Sequence, residues 1–211
     1  MSVAATSKIN LAAHLCGQHA NNLIGGDATF VEVLLRYGFQ RIQINATAVN
    51  GVDLSMLIQK SEAAYNIVRT ALQFPSIEFI IQKNEETRPL WEELVKLAFD
   101  DGIPSSFPKN ITMLLDESKG TGKQIEMDQL QPPPLNFDFG YAGGIGPSNI
   151  TTVLQSVMSF ATERAVWIDM ESSLRSIKDG KDIFDLYKCY SCISSVCALG
   201  LHQHPDYLAS R

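Results

Sequence analysis

Short apolar segments rich in β-forming residues alternate along this chain with longer segments of helical periodicity, and this alternation restricts the possible folds more than any other feature. It predicts strands at residues 10–15, 41–45, 77–82, 111–115, 137–142 and 165–170. Apolar residues at helical spacing predict helices at 30–37, 54–73, 90–99, 149–162 and 183–199. Short strands that are apolar on both faces, separated by amphipathic helices, are typical of βαβ units. The sequence therefore predicts an α/β protein with a parallel sheet.

Local signals support two of these helices and mark one loop. Asp27 precedes the helical pattern at 30–37 as a capping residue, and Pro89 suits the first turn of the helix predicted at 90–99. Three consecutive prolines at 132–134 cannot lie inside a regular helix. Residues 126–136 are therefore predicted to form a loop or a shortened helix.

Length and charge narrow the class of protein. The chain has 211 residues, of which 45% are hydrophobic and 19% charged, so we predict one globular domain spanning residues 1–211. The net charge of −6, without a cluster of Lys or Arg, argues against nucleic acid or an anionic membrane as a partner. No apolar run approaches the roughly 18 residues of a membrane span, and residues 1–6 do not resemble a signal peptide. We therefore expect a cytoplasmic protein.

Polar and glycine residues follow three of the predicted strands. Asp116 comes directly after the strand at 111–115, at the strand end where barrel active sites are built, with a cap of the next loop as the alternative. Gly143, Gly144 and Gly146 follow the strand at 137–142, just before a helix start. Because glycines allow close approach and helix N-termini attract anions, this segment suits phosphate, although a simple tight turn is the alternative.

Passages in this part of the chain resemble the phosphoribosylanthranilate isomerase family. The sequence LLD at 114–116, followed by Gly120, Thr121 and Gly122, matches the family's sixth strand and its GTG loop. The sequence AGGIGPSN at 142–149 matches the turn after the seventh strand.

The resemblance continues on both sides of these passages. IDMESS at 168–173, which contains Ser172 and Ser173, followed by GKD at 180–182, matches the eighth strand and the G-x-K-D that opens the last helix. Upstream, IQIN at 42–45 looks like the fourth strand, and residues 12–17 would then be the third. The match is good over roughly the last two-thirds of the chain.

The resemblance implies a (β/α) TIM-type barrel with about six recognisable units, incomplete at the N-terminus or closed in another way, because such barrels have eight strands. It also implies an isomerase of tryptophan biosynthesis that performs an Amadori rearrangement and needs no metal or cofactor. Asp116 would be the general acid. The implied phosphate- and substrate-binding residues are Gln43, Gly120, Thr121, Gly122, Gly143, Gly144, Gly146, Ser172 and Ser173. The expected partner is a small phosphorylated metabolite, and a homodimer would cover exposed sheet edges.

The chain departs from the family at two places. The family's general base is a first-strand cysteine, whereas Cys16, in the sequence HLCG, would fall on the third strand. Cys16 is a candidate base, with a small buried cysteine as the alternative. Glu171 and Ser173 change the family's D-V-S-S-G, and Glu171 places a carboxylate near the expected phosphate. These departures favour an alternative, a divergent phosphate-binding barrel that binds a metabolite or a protein without catalysis.

The remaining cysteines form a cluster near the C-terminus. Cys189, Cys192 and Cys197, with His202 and His204, contain enough ligands for zinc. The three cysteines fall within an apolar helical pattern, however, which is more typical of small packed residues. We therefore predict no metal site.

Overall fold

A computed structural model describes residues 11–58, 61–99, 107–117, 130–134, 137–161 and 166–201. Six parallel strands form one sheet in sequence order and curl into a half-barrel. The strands are β1 Leu11–Leu15, β2 Phe39–Ile44, β3 Glu78–Lys83, β4 Ile111–Leu115, β5 Phe139–Tyr141 and β6 Val166–Ile168. All six coincide with predicted strands, which confirms the α/β class and an incomplete (β/α) TIM-type barrel.

Helices connect the strands, as the βαβ pattern predicts. They are α1 Gly17–Ile24, α2 Thr29–Arg36, α3 Ser55–Ile58, α4 Ser61–Gln73, α5 Arg88–Phe99, α6 Ile150–Phe160 and α7 Leu186–Ala198. The first of these was not predicted, because only Ala20, Leu23 and Ile24 of its residues are buried and the rest of its sequence is polar. No described helix is long and apolar enough to cross a membrane.

The two faces of the sheet have different chemistry because side chains alternate along each strand. One set, which includes Ile44, Phe79 and Met113, joins apolar helix residues in the main core. The opposite set faces the hollow of the half-barrel, where Leu114 and Trp167 belong to a smaller apolar cluster. The main core thus lies between sheet and helices, and the hollow contains the smaller apolar cluster together with polar side chains.

A paired charge lies in the hollow near the amino ends of the strands. Arg41 donates to both carboxylate oxygens of Glu78 at 2.9 Å, and the Thr112 hydroxyl donates to the same carboxylate at 2.9 Å. The guanidinium of Arg41 also lies 5.0 Å from the ring centre of Trp167. The half-buried guanidinium of Arg41 is therefore paired with a carboxylate that is itself mostly shielded from solvent.

The prediction that the last helix begins at residue 183 is wrong. Two short strands form an antiparallel hairpin here, β7 Arg175–Lys178 and β8 Lys181–Phe184. Its turn consists of Asp179 (φ 51°) and Gly180 (φ 72°). An Asp-Gly pair favours such a turn because both residues tolerate positive φ. Helix α7 begins at Leu186, where the Asp185 carboxylate accepts from the N–H groups of the first turn. The GKD sequence therefore lies in the hairpin, where it does not open a helix.

Candidate active site

A cavity lies at the carboxyl ends of the strands, inside the hollow of the half-barrel. Strand β1 contributes His14, β2 contributes Gln43, and β3 contributes Gln82. Asn45 and Asp116 come directly after β2 and β4 and line the same cavity. These side chains converge because the carboxyl ends of parallel strands all lie at one edge of the sheet. Barrel enzymes build their active sites at this edge.

The opposite wall comes from the loops after β5 and β6. Gly143 and Gly144 line it from the first loop, and Ser172 and Ser173 line it from the second. The structure thus brings together Asp116, Gln43 and four of the predicted phosphate-binding residues. Their predicted roles in binding stay predictions.

Asp116 is held rigidly on the β-strand side of the cavity. Its side chain is only 8% exposed. The side-chain amide of Gln82 donates to Asp116 Oδ2 at 2.7 Å, and the Asp116 backbone N–H donates to the Lys83 carbonyl at 3.2 Å. Asn84 Nδ2 donates to the Asp116 carbonyl at 3.2 Å. A carboxyl fixed in this way has a defined orientation toward a bound ligand.

The glycine turn after β5 is clamped by Asn149. Gly143 (φ 104°) and Gly144 (φ 60°) adopt left-handed conformations that favour glycine. Asn149 Oδ1 accepts from the Gly146 N–H at 2.8 Å, and Asn149 Nδ2 donates to the Gly144 carbonyl at 3.1 Å. The Gly146 N–H is therefore already bonded. Gly146 instead permits close packing, since a Cβ there would lie 2.5 Å from Ser173 Cβ.

Asp169, after β6, is a cavity residue to which the sequence analysis gave no role. One side of it is exposed, yet the surrounding protein raises the pKa of its carboxyl, and the nearby charges of Asp116 and Glu171 raise this pKa further. His14 and Arg41 act in the opposite direction. The cavity walls surround the carboxyl despite its open side, and they disfavour its ionised form. Its position directly after a strand, like that of Asp116, was the available sequence signal.

Comparison with known families agrees with this arrangement. The family model described as N-(5'phosphoribosyl)anthranilate (PRA) isomerase matches residues 80–186. The matched region runs from β3 through the β7–β8 hairpin to the start of α7, and it contains Asp116, the glycine turn and both serines. The chain belongs to this family. No individual curated protein gives a significant match.

Cys16 lies before the region that matches the PRA isomerase family. It follows β1, and its sulfur is 3.8 Å from His14 Nδ1, 3.9 Å from Asn45 Nδ2 and 3.7 Å from Asn50 Oδ1. Burial raises the pKa of this thiol, which therefore stays protonated at neutral pH. Its neighbours line the cavity, but Cys16 is not among the lining residues. Its assignment as the base stays a hypothesis with little support from this geometry.

The GTG loop of the PRA isomerase-family site cannot be placed, because Gly120, Thr121 and Gly122 lie outside the described residues.

Of the residues considered as zinc ligands, His202 and His204 also lie outside the described residues, and Cys189, Cys192 and Cys197 lie on α7. In the described part of the chain, no group of three or more His, Cys, Asp or Glu residues is placed to hold a metal ion. His19 stacks on Phe30, with ring centres 3.9 Å apart.

Proposed function

We propose that this protein catalyses the Amadori rearrangement of a phosphoribosylated amine in tryptophan biosynthesis, which converts an aminoaldose phosphate to an aminoketose phosphate. The observation that carries the proposal is the position of Asp116. It is fixed by Gln82 at 2.7 Å and lies in a cavity whose other wall is built from glycine and serine loops. Membership of the PRA isomerase family supports the same reaction class.

The reaction needs an acid that protonates the ring oxygen of the sugar, so that the bond from C1 to this oxygen breaks. Asp116 is suited to that step because it is directed into the cavity from the end of a buried strand. The rearrangement is an internal oxidation and reduction, with C1 and C2 of the same sugar exchanging oxidation states. The protein must therefore supply proton transfer and orientation.

The loop wall is suited to the phosphate of the substrate. In the described part of the chain, the N–H groups of Gly143 and Gly144 have no hydrogen-bond acceptor, and those of Ser172 and Ser173 lie at the start of a short 3-10 helix. Free N–H groups of this kind bind phosphate oxygens. Glu171 lines the same wall and opposes an anion, so we expect phosphate binding to be weakened by this residue.

The test is an isomerase assay on freshly generated phosphoribosylanthranilate, followed by the loss of anthranilate fluorescence. We expect turnover by the wild-type protein, and we expect Asp116→Asn to lower kcat by about 10²- to 10⁴-fold, the usual contribution of a general acid. The variant should keep the wild-type unfolding midpoint within a few degrees, which separates lost chemistry from lost structure. A well-folded wild-type protein without turnover would contradict the proposal.

Glu171 favours a second candidate function, in which the cavity binds a metabolite without converting it. A carboxylate on the loop wall disfavours the phosphate that the isomerase must hold. In that case the wild-type protein shows no turnover, and an anthranilate-bearing ribose phosphate analogue still binds in a calorimetric titration. The Glu171→Gln variant would then bind inorganic phosphate more tightly than the wild type does.

A further inference from the structure

The proposed rearrangement requires a second proton-transferring group besides the acid. Once the ring has opened, the proton on C2 must be removed, and C2 is only one carbon away from C1, whose bond to the ring oxygen breaks. The base must therefore lie close to the acid. We propose that Asp169 is this general base, an inference that rests on the proposed function.

The position of Asp169 in the hollow supports this role. Its backbone N–H donates to the Tyr141 carbonyl at 2.9 Å, which fixes the loop after β6 relative to β5. Asp169 lines the same cavity as Asp116, which follows β4, and His14, which lies on β1. The proposed base and the proposed acid therefore belong to one cavity, each placed directly after a strand of the sheet.

The carboxylate of Asp169 is also available to a substrate. No described residue donates a hydrogen bond to it, and one side of it is open to solvent. Asp116, by contrast, is buried and accepts from Gln82. Two carboxyl groups in different environments within one cavity are the usual arrangement for an acid and a base that act in the same reaction.

The charge environment of Asp169 makes it a stronger base than an ordinary carboxylate. The cavity walls around it disfavour the ionised form and raise its pKa; the charge of Glu171, and that of Asp116 whenever Asp116 is ionised, raise this pKa further, while His14 and Arg41 oppose the shift. A general base is most effective when its pKa approaches the working pH from below.

Other groups near the cavity are less suited to the step. Cys16 is not a lining residue, and burial keeps its thiol protonated. His14 lines the cavity with Nδ1 directed at the Cys16 sulfur, 3.8 Å away. Glu171 lies beside Ser172 and Ser173, on the wall assigned to phosphate. Asp169 instead comes directly after β6, as Asp116 comes directly after β4, and both residues line the cavity.

The proton balance of the reaction closes with these two residues. Asp116 gives a proton to the ring oxygen, and the bond from C1 to this oxygen breaks to leave a protonated imine. Asp169 takes the proton from C2, and the electrons of that bond form the C1–C2 double bond while the imine nitrogen becomes neutral. The resulting enolamine gains a proton at C1 and loses its enol proton, giving the ketone. Asp169 then returns its proton to Asp116, which restores both groups.

The test compares Asp169→Asn, Asp169→Ala and Cys16→Ser by the pH profile of kcat/KM on phosphoribosylanthranilate. In the wild type we expect the rate to fall at low pH as Asp169 becomes protonated. Asp169→Asn should lose about 10²- to 10⁴-fold in kcat, and its residual rate should lack this fall. Added formate should restore part of the activity of Asp169→Ala, because a small carboxylate can occupy the vacated space. Cys16→Ser should keep the wild-type low-pH fall.

The outcomes separate this inference from the proposed function. If the wild type turns over but Asp169→Asn keeps its rate, the base assignment is overturned and the isomerase stands. The same holds if the residual rate keeps the low-pH fall, or if Cys16→Ser loses it. If the wild type shows no turnover, both are overturned. Binding of a reduced, acyclic product analogue to Asp169→Asn, with wild-type affinity within about tenfold, would show that its cavity is intact.

Discussion

At the scale of single residues, Gly140 determines how the hollow of the half-barrel is filled. A Cβ built at Gly140 would lie 2.2 Å from Trp167 Nε1 and 2.3 Å from Trp167 Cε2. The indole therefore crosses β5 at the place where a side chain is absent. In that position it packs against Leu114 and lies beneath the guanidinium of Arg41. Glycine is required here by contact with a neighbouring side chain, in an ordinary backbone conformation.

We expect Gly140→Ala to destabilise the protein by about 1 to 3 kcal/mol, because the added methyl forces the indole out of its packed position. The measurement is the free energy of unfolding in urea. The matched control is Gly140→Ala in a Trp167→Val background, where the space is already open and the cost should be much smaller than in the wild type. Equal costs in both backgrounds would contradict this account.

At the scale of elements, the turn between β5 and α6 depends on a side chain that does not itself line the cavity. Asn149 bonds to both Gly146 and Gly144. These bonds hold two backbone groups that would otherwise be satisfied by water, so the turn keeps its shape with Gly143 and Gly144 lining the cavity. The helix start that follows adds the positive end of its dipole.

Asn149→Ala should therefore destabilise the protein by about 1 to 2 kcal/mol, from the loss of two hydrogen bonds, and should weaken binding of inorganic phosphate. Asn149→Asp is the informative comparison, because it keeps the acceptor for Gly146 and loses the donor to Gly144. Its stability should fall between those of the wild type and Asn149→Ala. Calorimetric titration with phosphate checks the binding, and unchanged affinity in Asn149→Ala would contradict the role of the clamp.

At the scale of the whole molecule, a half-barrel gathers charges from distant parts of the sequence into one hollow. Asp169 feels charges from β1, β2 and β4, although these elements are separated by long stretches of chain. Gathering these charges in one cavity lowers the free energy of unfolding somewhat, as is common in active sites. The sheet also has β1 and β6 at its two edges in the described part of the chain. A homodimer that covers them stays a prediction, which light scattering would test.

The raised pKa of Asp169 makes stability depend on pH in a definite direction. Below about pH 4 the carboxyl is protonated in both folded and unfolded states and costs nothing. As pH rises from the ordinary, unfolded-state pKa through the raised folded-state pKa, the unfolded chain ionises first. The free energy of unfolding therefore falls over this range. Asp169→Asn should therefore be more stable than the wild type at pH 7, by about 0.5 kcal/mol, since solvent screens this exposed group. The gain should vanish at pH 3; a gain equal at both pH values would point to packing instead.

The order and type of the main elements follow from the amino-acid sequence. All six parallel strands and the helices after β2, β3 and β5 could be predicted, because periodicity records which faces are buried. The positions of Asp116, Gly143, Gly144, Ser172 and Ser173 at strand ends could also be predicted, since motifs there record local backbone geometry, and these residues do line the cavity. Their roles in catalysis and binding stay predictions. The hairpin after β6 was not predicted, because its two strands are short and largely exposed. The end of β8 was also included in the helix predicted at 183–199.

The contacts among the site residues depend on how the whole sheet is assembled. Asp169 was visible after its strand, but its closeness to Asp116 and His14 depends on the curl of the sheet, which no local pattern encodes. Likewise, the N–H of Gly146 is bonded to Asn149, and Gly140 makes room for Trp167. Periodicity and motifs report each segment's own backbone and burial. Contacts between separate strand ends depend on how the strands assemble, and they set the charge and the available donors of the site.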